Sequence, residues 1–174
     1  MAHLAAEHGW PSLVIKPTVA AGAYETLVFD LETEAEKAQE HFDRLAAKGC
    51  VLVQPYLDAI TVEGETSLVY FEGGFNHAVR KVPASGDFRV QIEFGGRYTV
   101  VEPTPAQLAV ADRVVGLAPE TPLYARIDLV DIEGQPHLME AEMIEPELFF
   151  LFVPEAAVIY ADLLRERLGE RLVN

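Results

Sequence analysis

The chain contains one cysteine, Cys50, and no second thiol with which it could pair. It precedes Val51-Leu52-Val53, so it reads as a buried, reduced core residue. Positive charge is scarce: 13 Lys and Arg stand against 28 Asp and Glu, a formal net charge of −15. Phosphate is repelled overall by such a surface, which argues against nucleic acid or an anionic membrane as partner. No apolar run reaches transmembrane length, and no basic segment followed by an apolar one marks a leader. This reading places the chain in the cytoplasm. The five histidines (His3, His8, His41, His77 and His137) lack metal-ligand spacing, and His77 reads as a satisfied structural histidine. A Walker lysine motif, a Rossmann glycine fingerprint and a Ser-His-Asp or Cys-His constellation are also lacking.

What is present suits a folded chain. Its 174 residues are half hydrophobic, enough for one substantial core or for two small lobes sharing a cleft. Met1 to His8 is weakly helical. Leu13-Val14-Ile15 is a short buried strand that delivers Lys16, and Thr26 to Phe29 is a second strand. Thr33-Glu34-Ala35-Glu36 has the form of a capping box opening a helix to about Lys48. Ala35, Ala38, Phe42, Leu45 and Ala46 make its inward stripe. Val51 to Gln54 is a strand running into Pro55. Thr66 to Phe71 and Phe75 to Val82 flank the turn Glu72-Gly73-Gly74, and Phe88 to Phe94 is a further strand closed by Gly95-Gly96. Thr104, Pro105 and Gln107 cap a helix to about Leu117. Pro154 starts a last helix, with Ala157, Val158, Ala161, Leu164 and Leu168 facing inward. Many antiparallel strands with few helices predict an α+β fold.

The stretch from Tyr124 to Pro146 carries the densest chemistry. Leu123 to Val130 alternates as a strand, Glu133-Gly134-Gln135-Pro136 is turn chemistry, and His137 to Met143 reads as the returning strand. Glu140 and Glu142 leave one face of it, and two neighbouring carboxylates repel unless protons or a cation neutralise them. With Asp128 on the partner strand, three oxygen ligands could converge on a hard cation such as Mg²⁺. The competing reading is an exposed hairpin edge with solvated acids. Of the cations, Lys16, Arg80, Lys81, Arg89, Arg97 and Arg126 fall on strand or turn segments, as expected of an anion-binding cleft; cross-strand ion pairs are the alternative.

The order of these segments resembles the C-terminal two-thirds of ATP-grasp enzymes. It runs Val-Ile-Lys-Pro, a Gly-containing loop, a helix, Val-Gln-Pro-Tyr-Leu, Gly-Glu-Thr-Ser-Leu-Val-Tyr, Ala-Val-Arg-Lys, Gly-Asp-Phe-Arg-Val-Gln, Ala-Arg-Ile-Asp and Leu-Met-Glu-Ala-Glu. The similarity extends from about Leu13 to Phe150 and is nearest to the prokaryotic glutathione-synthetase-like and cycloserine-forming ligases. It implies a smaller lobe over 1–57 and a larger lobe with a metal-binding hairpin over 58–174. It also implies ATP and Mg²⁺ as cofactors, and a small-molecule carboxylate and amine joined through an acyl-phosphate.

The resemblance assigns roles residue by residue. Lys16 would reach the α- and β-phosphates, under a loop from Val19 to Glu25 in which Gly22 is the one glycine. Gln54, Pro55 and Leu57 would read adenine, and Glu65 would take the ribose hydroxyls. Lys81 would hold the γ-phosphate and Arg89 the transferred phosphoryl or the acceptor. Arg126 would stabilise the acyl-phosphate, its planar fork suited to phosphate oxygens. Asp128, Glu140 and Glu142 would hold the metal, with Glu142 standing where the family commonly has an amide. Only fifteen residues precede Lys16, and none is lysine, whereas such ligases carry an N-terminal domain and a further nucleotide-contacting lysine. A fragment, a truncated product or a short relative is therefore expected, with the absent domain or a second copy covering an exposed face. The alternatives to a working ligase are a catalytically incomplete nucleotide-binding remnant and a non-enzymatic interaction domain.

Overall fold

Leu13, Val14 and Ile15, three consecutive β-formers, are all buried, which suits the middle strand of a sheet with both neighbours paired. The computed structural model describes residues 2–20, 23–86 and 89–172 and divides into two compact units, Met1–Asp58 and Ala59–Asn174. In the first unit, strand β1 (Ser12–Pro17) lies between β2 (Leu27–Asp30) and β3 (Val51–Pro55), antiparallel to both. Helices α1 (Ala2–His8) and α2 (Leu31–Ala46) complete it. The core gathers Ala5, Leu13, Ile15, Phe29, Ala38 and Leu45, with Trp10, Phe42, Val51 and Val53 against it.

Helix α2 starts two residues before the expected Thr33. The carboxylate of Asp30, at the end of β2, accepts from the amides of Glu32 (2.9 Å) and Thr33 (3.2 Å) and so closes an earlier turn. The helix is kinked where the capping box was expected, at Glu34, whose φ/ψ is non-helical. Its inward positions are Ala38, His41 and Leu45; Ala46 is exposed, contrary to expectation. A histidine can take a core position here because both ring nitrogens are satisfied, Nε2 by the Glu25 carbonyl (3.0 Å) and Nδ1 by the Arg44 guanidinium (2.7 Å). Cys50 is exposed rather than buried, since it sits in the connection before β3 and not on its inward face. Of the expected phosphate loop, Ala21 and Gly22 lie outside the described residues.

The second unit is a five-stranded antiparallel sheet in the order β6-β5-β4-β7-β8. Its strands are β4 (Glu65–Phe71), β5 (Gly74–Val82), β6 (Arg97–Val101), β7 (Tyr124–Ile132) and β8 (Gln135–Glu142). A one-turn helix α3 (Ala59–Val62) precedes them, α4 (Pro105–Val115) lies between β6 and β7, and α5 (Pro154–Leu172) follows β8. One face of the sheet presents Leu68, Tyr70, Ala78, Ala125, Ile127 and Leu129 to Ala111 and Val115 of α4. Thr104 and Gln107 form the expected capping box at the start of α4. Part of the opposite face packs Val69, Phe71 and Val79 against Phe149 and Ala156.

Three expectations fail in this unit. The strand foreseen over Phe88 to Phe94 is absent: Phe88 lies outside the described residues, Arg89 to Gln91 is irregular, and Ile92–Phe94 is a 3₁₀ turn. Gly96 abuts the Val90 carbonyl so tightly that no Cβ fits between them, and the chain doubles back. The strand is instead Arg97–Val101, whose Tyr-Thr-Val-Val run suits the edge it occupies. On α5 the buried side is Ala156 with Tyr160 and Leu163, whereas Val158 and Leu168 of the expected stripe are exposed. This helix carries apolar residues around much of its circumference, and the rings of Phe71, Tyr124 and Phe150, 5.5–5.8 Å from Tyr160, decide which side turns in. The β7–β8 turn is only Glu133-Gly134, both with positive φ (51° and 77°), so Gln135 and Pro136 already belong to β8.

Candidate functional site

Alternate residues of a strand leave the same face, and pairing register decides which strands contribute to one patch. Glu65 faces Lys81 across β4–β5, and Ser67 faces Asp128 across β4–β7. Asp128 in turn faces Glu140, and Arg126 faces Glu142, across β7–β8. Four strands therefore put Lys81, Arg126 and four carboxylates on the face opposite α4.

The contacts run as a ladder. The Lys81 ammonium pairs with Glu65 and, at 3.1 Å, with Asp128 Oδ2. Arg126 Nε donates to both Asp128 oxygens at 3.1 Å, and its Nη2 lies 3.0 Å from Asp128 Oδ2. The same Nη2 reaches Glu142 at 2.6 Å and Glu140 at 3.2 Å. Burial falls off along the ladder: side-chain exposure is 1% at Asp128, 30% at Glu142 and 56% at Glu140. Gly64 admits the close approach at the inner end. With φ +82°, it lies where an added Cβ would stand 2.5 Å from the Lys81 carbonyl.

Each ionisation follows from these neighbours. Burial disfavours the charge on Asp128, yet Lys81 and Arg126 outweigh it and hold the carboxyl below its ordinary range. Burial likewise opposes the Lys81 ammonium, and Glu65 and Asp128 reverse that and raise its pKa. Glu65 is pushed upward by burial, with Lys81 only partly offsetting it. Glu142 is raised by burial and by the carboxylates of Glu140 and Asp128, against the pull of Arg126. By formal charge, the four acids Glu65, Asp128, Glu140 and Glu142 outnumber Lys81 and Arg126 by two, the charge of one divalent cation. Oxygen donors alone make up the acidic set, which is the chemistry a hard cation takes. Among the described residues no three acids, histidines or cysteines form a cage on their own; Arg126 lies between the acids and touches all three.

The remaining candidates are placed as follows. Lys16 is half-buried at the end of β1, opposite Leu52, and has no ion pair among the described residues. Gln54 and Pro55 close β3; its ladder ends where the Tyr56 amide donates to the Ser12 carbonyl (3.1 Å), and Leu57 follows outside it. These four belong to the first unit. Arg89 lies with its guanidinium carbon 3.7 Å from the centre of the Phe94 ring, in irregular backbone instead of a strand. His77 is buried as a structural residue, its Nε2 3.1 Å from the Leu148 carbonyl and its Nδ1 beside Asn76. Sequence reasoning passed over Ser67, fully buried directly across from Asp128. A small hydroxyl side chain directly before Leu68 and Val69 was the available signal.

The profile described as "Prokaryotic glutathione synthetase, ATP-grasp domain" matches residues 1–146. The chain belongs to this family. The cycloserine biosynthesis protein DcsG of Streptomyces lavendulae is 34% identical over 180 residues, covering 95% of this chain and 58% of that protein. The crystal structure of D-cycloserine synthetase DcsG superposes with a TM-score of 0.81 at 30% identity, over 96% of this chain and 59% of that one. D-alanine–D-alanine ligase from Bacillus anthracis gives a TM-score of 0.62 at 18% identity, over 94% and 55% of the two chains, a likeness of fold alone. The α+β ATP-grasp fold is thus established, and the chain spans somewhat under three-fifths of the DcsG proteins it matches.

Proposed function

We propose that this ATP-grasp chain is the nucleotide-binding part of an ATP- and Mg²⁺-dependent ligase that joins a small-molecule carboxylate to an amine or similar nucleophile through an acyl-phosphate. The observation that carries the reading is the buried ladder of Lys81, Asp128 and Arg126 on one sheet face, flanked by carboxylates that by formal charge lack two counter-charges. Asp128, Glu140 and Glu142 would hold the metal, and a divalent cation there would supply the missing positive charge and neutralise phosphate oxygens. Lys81 would then face the terminal phosphate. Arg126, fixed by three acids, would present its remaining donors to the phosphoryl oxygens that gain charge as the acyl-phosphate forms and as the amine displaces phosphate. Arg89, resting on Phe94, is assigned to the acceptor side. Lys16 would meet the inner phosphates, and Gln54, the Pro55 carbonyl and the Leu57 amide would meet the adenine edge. The protein contributes position and charge, with no covalent bond to the substrate. Removing the Arg126 guanidinium would cost about 2.7–4 kcal/mol of transition-state stabilisation if it acts as an oxyanion donor does.

Small-molecule carboxylate and amine substrates, the absence of nucleic acid and membrane partners, and a cytoplasmic setting belong to this proposal. Among the described residues no helix is long and apolar enough to cross a membrane. The test is a thermal melt with Mg²⁺ and a non-hydrolysable ATP analogue, where a hundredfold excess over Kd adds about 2.7 kcal/mol. Phosphate release from ATP with a panel of amino acids then separates a ligase from a module that only binds nucleotide. No shift in the melt would leave the ladder as structural ion pairs.

A further inference from the structure

Arg126 Nη2 faces more acid oxygens than it has hydrogens. The nitrogen carries two N–H groups, yet Asp128 Oδ2 lies 3.0 Å from it, Glu140 Oε2 3.2 Å and Glu142 Oε2 2.6 Å. Nε is committed as well, shared between both oxygens of Asp128 at 3.1 Å. Among the described residues, the hydrogen bonds of this guanidinium run through Nε and Nη2, and each goes to an acid. The acids depend on it unequally. Asp128 also has the Lys81 ammonium at 3.1 Å, whereas Glu140 and Glu142 form ion pairs only with Arg126 among the described residues. One shared nitrogen is a weak counter-charge for two neighbouring carboxylates that repel each other. A divalent cation brings twice the charge and accepts about six oxygens.

We propose that Arg126 and a divalent cation are alternative partners of Glu140 and Glu142, so that Arg126 gives up these two acids when a cation takes their oxygens and turns Nη2 to phosphate. The proposal rests on the site reading above, in which the acids hold the metal and Arg126 meets the phosphoryl oxygens. Nε stays on Asp128, whose side chain is 1% exposed and held by Lys81 as well, and it acts as the pivot. The guanidinium keeps its charge throughout. Nη2 therefore needs another anion once the acids are taken, and nucleotide phosphate supplies it. Without phosphate Arg126 opposes the metal; with phosphate it no longer does, which couples the two ligands.

The experiment titrates Mn²⁺, a divalent probe suited to carboxylates, and reads the free ion by electron paramagnetic resonance. Wild type, R126M, R126K and D128N are each measured without nucleotide and with a saturating non-hydrolysable ATP analogue, corrected for Mn²⁺ held by free analogue. Changing a partner of metal-ligating groups typically moves metal affinity by about 10- to 100-fold, as a loss. Here the partner competes, so the sign reverses. Without nucleotide, R126M should bind Mn²⁺ about tenfold more tightly than wild type, which is about 1.4 kcal/mol. R126K keeps the charge without the planar fork and should fall between them. With the analogue bound, the advantage should disappear. Equal or weaker Mn²⁺ affinity in nucleotide-free R126M overturns the proposal, as does an advantage of the same size with the analogue bound. If R126M does not fold, R126K carries the same comparison. A wild-type crystal soaked in Mn²⁺ gives a second readout: Nη2 moved beyond hydrogen-bond distance of Glu140 and Glu142 supports the exchange, and Nη2 still bonded to both beside a bound Mn²⁺ overturns it. Wild-type Mn²⁺ affinity in D128N, with and without the analogue, instead refutes the site reading, and the exchange with it.

Discussion

Replacing Asp128 by Asn tests the centre of the ladder with the least change in shape. The side chain is 1% exposed, contacts Lys81 at 3.1 Å and takes Arg126 through both oxygens at 3.1 Å. Breaking a buried ion pair costs about 3–5 kcal/mol, because a charge is left without its partner. Here each cation retains another carboxylate, Lys81 keeping Glu65 and Arg126 keeping Glu142, so the lower end applies, about 3 kcal/mol. For a chain of this size that is a fall in Tm of roughly 6–12 °C. Glu140→Gln is the comparison, since Glu140 is 56% exposed and its ion pair is worth about 0–1 kcal/mol, under roughly 4 °C. If both acids hold the metal, the two variants should diverge in the melt without ligand yet share the loss of Mg²⁺-dependent nucleotide affinity in calorimetry. A melt within 1–2 °C of wild type for Asp128→Asn, on the order of the scatter for an uncoupled surface site, refutes the buried node. Unchanged nucleotide affinity in both variants refutes the metal assignment.

Three further outcomes are expected. Gly64→Ala should lower stability by about 1–3 kcal/mol in urea denaturation, since the added Cβ meets the Lys81 carbonyl at 2.5 Å and φ is +82°. Tyr70→Phe removes a 2.7 Å bond from a fully buried ring to the Asp112 carboxylate and should cost about 1–2 kcal/mol by the same measurement. Burial depresses the pKa of His77 below the ordinary histidine value, so its contribution is complete above about pH 6.5 and is lost as pH falls through the depressed folded value. His77→Gln should therefore show a shallower loss of stability than wild type between about pH 6.5 and 5; parallel profiles would dismiss the histidine as a source of that loss.

Much of the fold was legible because its signals are local. The apolar triplet Leu13 to Ile15, the Thr104–Gln107 capping box and the turn residues Glu133-Gly134 each act within a few residues of themselves, and each marks the element found there. The errors share a different cause. Phe88 to Phe94 has strand-like composition, yet the approach of Gly96 to Val90 bends the chain before a strand can form. The stripe expected on α5 has helical spacing, but the helix has a second apolar side, and the aromatic cluster around Tyr160 selects that one. Cys50 borders an apolar strand without sharing its inward face.

By itself the sequence determined the α+β class, the order of the elements and the family, since these depend on period, turn chemistry and the succession of short motifs. It also determined that Arg126 and Asp128 share one strand face, as do Glu140 and Glu142, because a two-residue spacing requires it. Only the tertiary structure decided that Glu65 meets Lys81, that Ser67 lies across from Asp128, and that one guanidinium serves three acids. The Ser67–Asp128 pairing joins β4 to a hairpin some sixty residues further along the chain, and long-range register is set by which faces can be buried together, a property no single segment carries.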